Sequence, residues 1–406
     1  MPKLAFDFQS PEYQKNPYAV YEKLRTSDPV HAFTFEFFDQ KAPAWLITRY
    51  NDCLQLLKDA RLTTDYRQVM SEAEMKKFVQ IDQFESFSNS MLNHDPPDHT
   101  RLRLLVHQAF TPRMVENLRF RIEEITQNLL DRMAQQKTCE LIADYAYLLP
   151  ITVISEMLGI PEQDRSQFRS WSKALIDTPS DPDGLQKMNA SIQAFTSYID
   201  DLIAERRSKP THDLISALVQ AEAEGEKLSE EELYSTIFLL IIAGHETTVN
   251  LIGNGILALL QHPEQLDRLK QHPEIIQSTI EELLRYTNPV QVTEQRWVKE
   301  DMMWGEKQFK QGDLIVLAIA SANYDPEIFY QPNRLDITRT PNKHLAFGYG
   351  IHTCLGAPLA RLEGQIAISA LLKRFPNLTF NQNAEIKWRP SMGLRGLVAL
   401  PVSLFD

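Results

Sequence analysis

Residues 347–356 read Phe347-Gly348-Tyr349-Gly350-Ile351-His352-Thr353-Cys354-Leu355-Gly356. Three of the chain's 14 glycines fall within nine of these positions. Glycine is costly inside regular structure, but it permits positive φ and lets the backbone approach something flat or bulky. Directly behind the cluster, Leu355, Leu359, Leu362 and Ile366 recur at helical spacing, the pattern of an amphipathic helix. Cys354 is thus expected at a helix N-terminus, where the dipole and the N–H groups favour a thiolate. Donors aimed at its sulfur would also tune the potential of a bound iron. Cys53 and Cys139 have no such surroundings and read as structural thiols.

Around this loop the composition is that of an ordinary globular chain. Hydrophobic residues are 43% and charged residues 24% of 406, values that exclude disorder, a fibrous repeat and a disulfide scaffold. A prior of roughly 150 residues per domain allows two or three domains or one large one, and no linker or repeat divides the sequence. Acids outnumber bases, 54 to 42, for a net charge of −12, whereas counterion release from a nucleic acid needs the opposite sign. No nucleic-acid partner is expected. The three scattered cysteines form no CxxC pair and suit a reducing compartment. The longest apolar run, Ile237 to Ala243, is far shorter than the roughly 20 residues that span a bilayer, and Met1 to Phe8 carries no basic-then-apolar leader pattern. The sequence therefore reads as cytoplasmic, with no membrane partner.

Residues 97–286 read as helix after helix. Ala44 to Tyr50 and Leu314 to Ala320 alternate and read as strands, and the stretch from Pro376 onward mixes strand and turn signals. Proline fits the first turn of a helix, so His262-Pro263 and His272-Pro273 read as helix starts. The expected architecture is mainly α with small β-sheets at both ends, one large domain over residues 1–406. One helix stands apart: Ser229 and Glu232 form a capping box, and helical periodicity continues to about Gln261, on the order of 50 Å. At its midpoint the apolar run gives way to Ala243-Gly244-His245-Glu246-Thr247-Thr248. Polar groups buried there would be costly unless paired. The segment is either functional or a solvent-facing stripe or local kink.

Several motifs fail. His245-Glu246 begins an HExxH zinc site, but Val249 stands where the second histidine belongs. Gly348-Tyr349-Gly350 begins a dinucleotide fingerprint, but Thr353 replaces its third glycine and no long apolar strand precedes it. Neither a GK[ST] phosphate loop nor a GxSxG elbow occurs, so the chain carries no recognisable nucleotide or flavin site.

The ten-residue loop resembles the haem-binding signature FGxGxHxCxG of the cytochrome P-450 superfamily. Ala243 to Thr247 is similar to that family's oxygen-activation motif, Glu282-Leu283-Leu284-Arg285 to its ExxR motif, and Asp95 to Arg103 to its bacterial C-helix pattern. Pro43 to Tyr50 and Leu92 to Pro112 resemble the bacterial branch that tailors polyketides and macrolides. The resemblance implies a P-450 fold, a single haem b (iron protoporphyrin IX) and a haem-thiolate monooxygenase.

It also implies roles, residue by residue. Cys354 would be the iron ligand, with Phe347, Gly348 and Gly356 shaping its loop. His99, Arg103, Arg296 and His352 match propionate-contacting positions, and Asp95 capping a helix with Pro97 in its first turn would put His99 and Arg103 on one face. Gly244 would leave room beside the haem. Glu246 and Thr247 would relay protons during oxygen activation, a pair that argues for an electron-driven enzyme rather than a peroxide-driven one. The Glu282–Arg285 pair would be buried and joined by Arg334. Electrons would come from a separate ferredoxin or flavodoxin with its NAD(P)H reductase, docking on Arg101, Arg113, Lys343 and Arg361. Phe84 to Leu92, Leu239 to Ala243, Val290 to Thr293 and Met392 would line an apolar pocket for a polyketide, macrolide, steroid or similar lipophile. The family pattern is broken at Tyr324, where arginine is common, and the break casts doubt on a surface pairing; His245 is assigned no chemistry. The alternative function is a non-catalytic haem-thiolate sensor or carrier, which would need no proton relay. A cysteine hydrolase built on Cys354 and His352 is the weakest reading, because residues two apart do not normally present side chains to one another in triad geometry.

Overall fold

The computed structural model describes residues 7–8, 10–37, 40–72, 74–75, 89–176, 182–223, 225–381 and 385–405. The chain packs as two compact units, one of Met1–Met75, Thr126–Ala146 and Thr247–Asp406, the other of Lys76–Ile125 and Tyr147–Glu246.

The first unit holds a five-stranded sheet. Val30–Phe37 pairs antiparallel with Gln40–Ile47, which pairs parallel with Leu314–Leu317; Arg296–Val298 and then Leu62–Thr63 continue it antiparallel. Both expected strands end early. The first stops at Ile47, and Tyr50 opens a helix, its N–H donating to Asp325 Oδ2 at 2.9 Å. The second stops at Leu317, and Ile319–Ala322 is helical. All four residues of Leu314–Leu317 are buried, and in a strand covered on both faces alternation does not mark the end. Ile47, Leu56, Val298, Ile315 and Leu317 share one core cluster behind the sheet.

Helices complete this unit. Pro263 and Pro273 both occupy first-turn positions, as expected. The helix Ile276–Thr287 carries the ExxR residues, and Ala357–Arg374 follows the cysteine loop. Gly364 permits close helix contact there, since a Cβ would come within 3.0 Å of Leu251 and 3.3 Å of Ile280.

The long helix spans Glu230–Gln261. Its capping box is formed as the sequence requires: the Ser229 N–H donates to Glu232 Oε2 at 2.8 Å and the Glu232 N–H to Ser229 Oγ at 3.1 Å. By length and composition alone it could cross a membrane, but 67% of its most apolar window is buried inside the protein. Within the second unit its first half packs through Phe238 on Phe195, ring centroids 5.0 Å apart, and Phe195 in turn meets Phe168 at 5.6 Å.

Candidate functional site

The cysteine loop is built by its glycines. Gly348 and Gly350 take φ of 67° and 81°, a region that favours glycine. At Gly350 a Cβ would also stand 2.9 Å from the Leu57 carbonyl. The turn closes when the Cys354 N–H donates to the Phe347 carbonyl at 2.9 Å, while the Thr353 hydroxyl donates to the Gly350 carbonyl at 2.7 Å. Cys354 emerges exposed. The helix behind it starts at Ala357 with Gly356 as N-cap, so Leu355 lies in the turn, while Leu359, Leu362 and Ile366 are buried as their spacing predicts. Cys53 and Cys139 are buried, and burial pushes the Cys139 thiol up to about 12.

The loop is braced from one side. Arg361 lies 4.4 Å over the Phe347 ring and binds Glu281 through Nε at 2.7 Å and Nη2 at 2.8 Å. Burial would raise the Glu281 carboxyl, but Arg361 and His344 outweigh it and bring it to about 2. Arg361 is therefore neutralised. Arg101, on the other unit, is likewise paired with Glu232 and Glu226. Of the four basic residues expected to greet a redox partner, only Arg113 and Lys343 are exposed with no ion pair among the described residues.

Glu282 and Arg285 form a bidentate pair at 2.8 Å and are wholly buried. The third member is Arg339, not Arg334. Arg339 Nε donates to Glu282 Oε2 at 3.0 Å, whereas Arg334 is exposed and contributes its carbonyl to Arg285 Nη2 at 3.3 Å. The Arg334 N–H donates to the Gln331 carbonyl in a turn that faces its carbonyl inward and leaves the side chain in water.

The propionate candidates divide between the units. In the first, which also holds Cys354, Arg296 is 4% exposed and pairs with Glu294, yet its Nε is buried without a partner; His352 Nε2 lies 3.4 Å from Thr64 Oγ1. In the second, the helix Asp98–Ala109 holds His99 and Arg103 one turn apart, His99 buried and Arg103 half-buried. Pro97, not Asp95, is the N-cap. A residue that precedes proline is steered away from α geometry, so Pro96 cannot serve as a first helical residue and the start slips to Asp98. An exposed cysteine on a strained glycine loop and a buried guanidinium with an unmet donor are the groups an iron porphyrin with carboxylate tails requires. The residues fit haem.

On the long helix, Leu239 and Leu240 are half-buried, Ala243 is exposed and Gly244 and Thr247 are half-buried, although residues 248–260 are buried throughout. These positions fall on one face, three or four residues apart. Glu246 is buried. A Cβ on Gly244 would meet only Ile154 at an ordinary 3.6 Å. His245, left without a role by the sequence, is a packing residue: Nδ1 donates to the Ile241 carbonyl at 2.7 Å, leaving Nε2 to accept from Ser172 at 3.3 Å. One turn beyond, Thr248 is the polar neighbour of Glu363, a carboxyl that burial pushes up to about 8. Glu363 was not anticipated, although an acid four residues after Leu359 on an apolar helix face is a visible anomaly.

Of the expected pocket, Phe84 to Ser88 lie outside the described residues, Met91 is buried, and Met392 is half-buried. Tyr324 is no surface residue. It is 5% exposed, stacks on Tyr18 at 4.2 Å and donates its hydroxyl to the Tyr286 carbonyl at 2.7 Å.

Residues 23–401 match the family model described as Cytochrome P450. The chain is 50% identical over 406 residues to "Polyketide biosynthesis cytochrome P450 PksS" of Bacillus subtilis (strain 168), covering all of both chains. A solved structure of PksS is similar with a TM-score of 0.92 at 49% identity, over 99% of this chain and 100% of that one. Another, P450BioI in complex with an acyl carrier protein ligated to hexadec-9Z-enoic acid, gives a TM-score of 0.87 at 41% identity, over 97% and 99%.

Proposed function

We propose, from the premise that this chain belongs to the cytochrome P450 family, that it hydroxylates a lipophilic acyl chain of polyketide type with electrons from a separate ferredoxin or flavodoxin and its NAD(P)H reductase. The chain is a haem monooxygenase of the bacterial branch that resembles polyketide-tailoring enzymes, and its cofactor is haem b. Substrate and redox partner are the step beyond. The observation that carries the substrate class is the partly uncovered face of the long helix: Leu239, Leu240 and Ala243 offer an apolar surface that runs into Gly244 and Thr247; the redox partner follows from the family alone. Whole-length likeness to a protein named for polyketide biosynthesis supports the substrate class.

When bound, haem would supply reductive oxygen chemistry tuned by a thiolate ligand. Cys354 would be that ligand, held by its turn, with Phe347, Gly348 and Gly356 setting the loop's approach. Arg296 and His352 would hold the propionates by charge-assisted hydrogen bonds, the role that resemblance also gives His99 and Arg103. Gly244 keeps the helix backbone bare beside substrate. Thr247 would hold a proton at Oγ1 and Glu246 would resupply it, a positioned acid of the kind that contributes 10²–10⁴-fold in proton transfer. Residues 1–406 would act as one catalytic domain in the cytoplasm.

The test is Thr247→Ala in the haem-loaded enzyme, reconstituted with ferredoxin, reductase and a lipophilic acyl substrate. Haem content and electron consumption should stay within a few-fold of the parent, while product per electron falls at least about tenfold. An unchanged yield per electron removes the relay, and absence of product from the reconstituted parent returns the chain to the alternative of a haem-thiolate sensor.

A further inference from the structure

A cavity of about 310 Å³, lined in part by Tyr18, Asn254, Tyr286, Tyr324, Trp388 and Arg395, opens in the same unit as Cys354. Small-molecule sites begin at roughly 300 Å³. Among the described residues, Arg395 is the only charged one in its lining. It is 6% exposed, its guanidinium lies 3.8 Å over the Trp388 ring and 5.9 Å from that of Tyr18, and its one side-chain hydrogen bond goes to the Gln14 carbonyl at 3.4 Å. Among the described residues no carboxylate pairs with it; the ionisable groups that act on it are the hydroxyls of Tyr18, Tyr13, Tyr324 and Tyr21. A second group in the lining is also unmet. Asn254 is 2% exposed and donates through Nδ2 to the Arg395 carbonyl at 2.7 Å, which leaves Oδ1 buried with no donor.

A buried cation without a counter-charge is costly, and so is an unsatisfied buried acceptor. One ligand chemistry relieves both. A planar carboxylate matches the edge of a guanidinium fork, a hydroxyl supplies the donor that Asn254 lacks, and a flat ring suits walls made of tyrosine and tryptophan. A single cation among aromatic walls argues against a phosphate, whose three oxygens call for several donors. We infer that this cavity is a binding site for a small hydroxylated aromatic carboxylate, with Arg395 taking the carboxylate and Asn254 Oδ1 the hydroxyl. The site uses none of the residues assigned to haem, oxygen or substrate, so it stands or falls apart from them.

The probe is 4-hydroxybenzoate, titrated calorimetrically into the haem-loaded protein while the haem absorption band is followed. Binding should saturate with a Kd at or below roughly 1 mM, leave the band unmoved, and be at least tenfold tighter than that of the uncharged 4-hydroxybenzyl alcohol. Arg395→Gln should weaken it at least tenfold. Gln261→Trp, at an exposed position of the lining, should do the same by blocking the cavity, and serves alone if Arg395→Gln does not fold. Absence of saturation, equal affinity for the alcohol, indifference to both substitutions, or a shifted haem band that places the probe in the substrate pocket would each overturn the assignment.

Discussion

Two buried arginines in one unit of this protein have opposite surroundings. Arg285 spends every guanidinium nitrogen: Nε and Nη2 on Glu282 at 2.8 Å, Nη1 on the Asn323 and Pro332 carbonyls at 2.9 Å, and Nη2 again on the Arg334 carbonyl. Arg395, nearly as buried, has an aromatic stack and one long hydrogen bond. Burial alone therefore says little about what an arginine does; its partners do. Where a carboxylate and carbonyls close the shell, the residue is a structural node that ties the ExxR helix to the segment around Arg334. Where the shell stays open on a cavity, it can receive an anion.

The sharpest way to break that contrast is to make one change at both places. Arg285→Lys keeps the charge but loses the fork that meets a carboxylate in two places, a substitution that is not conservative at such a site. It takes donors from Glu282 and from three carbonyls in a largely buried shell, where each group left unmet costs about 1–3 kcal/mol. Urea unfolding and haem content should both show the loss. A midpoint within about 0.5 kcal/mol of the parent, the ordinary range of a surface substitution, would mean that the node is ornamental.

A pair of carboxyls sharpens the comparison from the acid side. Glu282 accepts from Arg285, Arg339, Asn342 and the Asp336 N–H, whereas Glu363 is as deeply buried with Thr248 as its neighbour and is pushed up to about 8. At neutral pH the folded protein holds a proton on Glu363 that the unfolded chain, with a carboxyl near 4.3, has released. Stability must then fall as pH rises from about 4.3 to about 8 and stay level above. The penalty is on the order of 5 kcal/mol, at about 1.4 kcal/mol per unit. Glu363→Gln should abolish this part of the pH dependence, so that the gap in urea midpoint between variant and parent widens from pH 6 to pH 9. A constant gap would place the proton elsewhere.

The same contrasts show what the sequence made legible. The capping box at Ser229 and Glu232, the proline starts at Pro263 and Pro273, and the glycine loop at Cys354 were all readable because the cause of each lies within a few residues of its effect. Arg339 was not: it meets Glu282 across 57 positions, and the nearer Arg334, chosen by likeness, turns outward because its own backbone is committed to a turn. Strand ends at Ile47 and Leu317 were hidden by burial on both faces. The helix start at Asp98 was misplaced by reading Pro97 without the constraint it puts on Pro96. Tyr324 was noticed only as a departure from a pattern, since the stack on Tyr18 that buries it is a product of tertiary packing. The chemistry of the site was written locally; its bracing was written across the chain.

Arg395→Lys should have the smallest effect, and therein lies its value. With no carboxylate to lose, the folded protein gives up chiefly the stack on Trp388, about 2 kcal/mol for a desolvated cation over an aromatic face, against the several kcal/mol expected for the identical change at Arg285. The ligand should reverse the ranking of interest. At ten times its Kd, 4-hydroxybenzoate should raise the parent's stability by about 1.4 kcal/mol through mass action, and Arg395→Lys, which keeps a charge but offers no fork, should show a clearly smaller gain in the same urea titration. If Arg395→Lys instead costs as much as Arg285→Lys and the gain from the ligand is untouched, then the two arginines are alike, both holding the fold and neither holding a place for an anion.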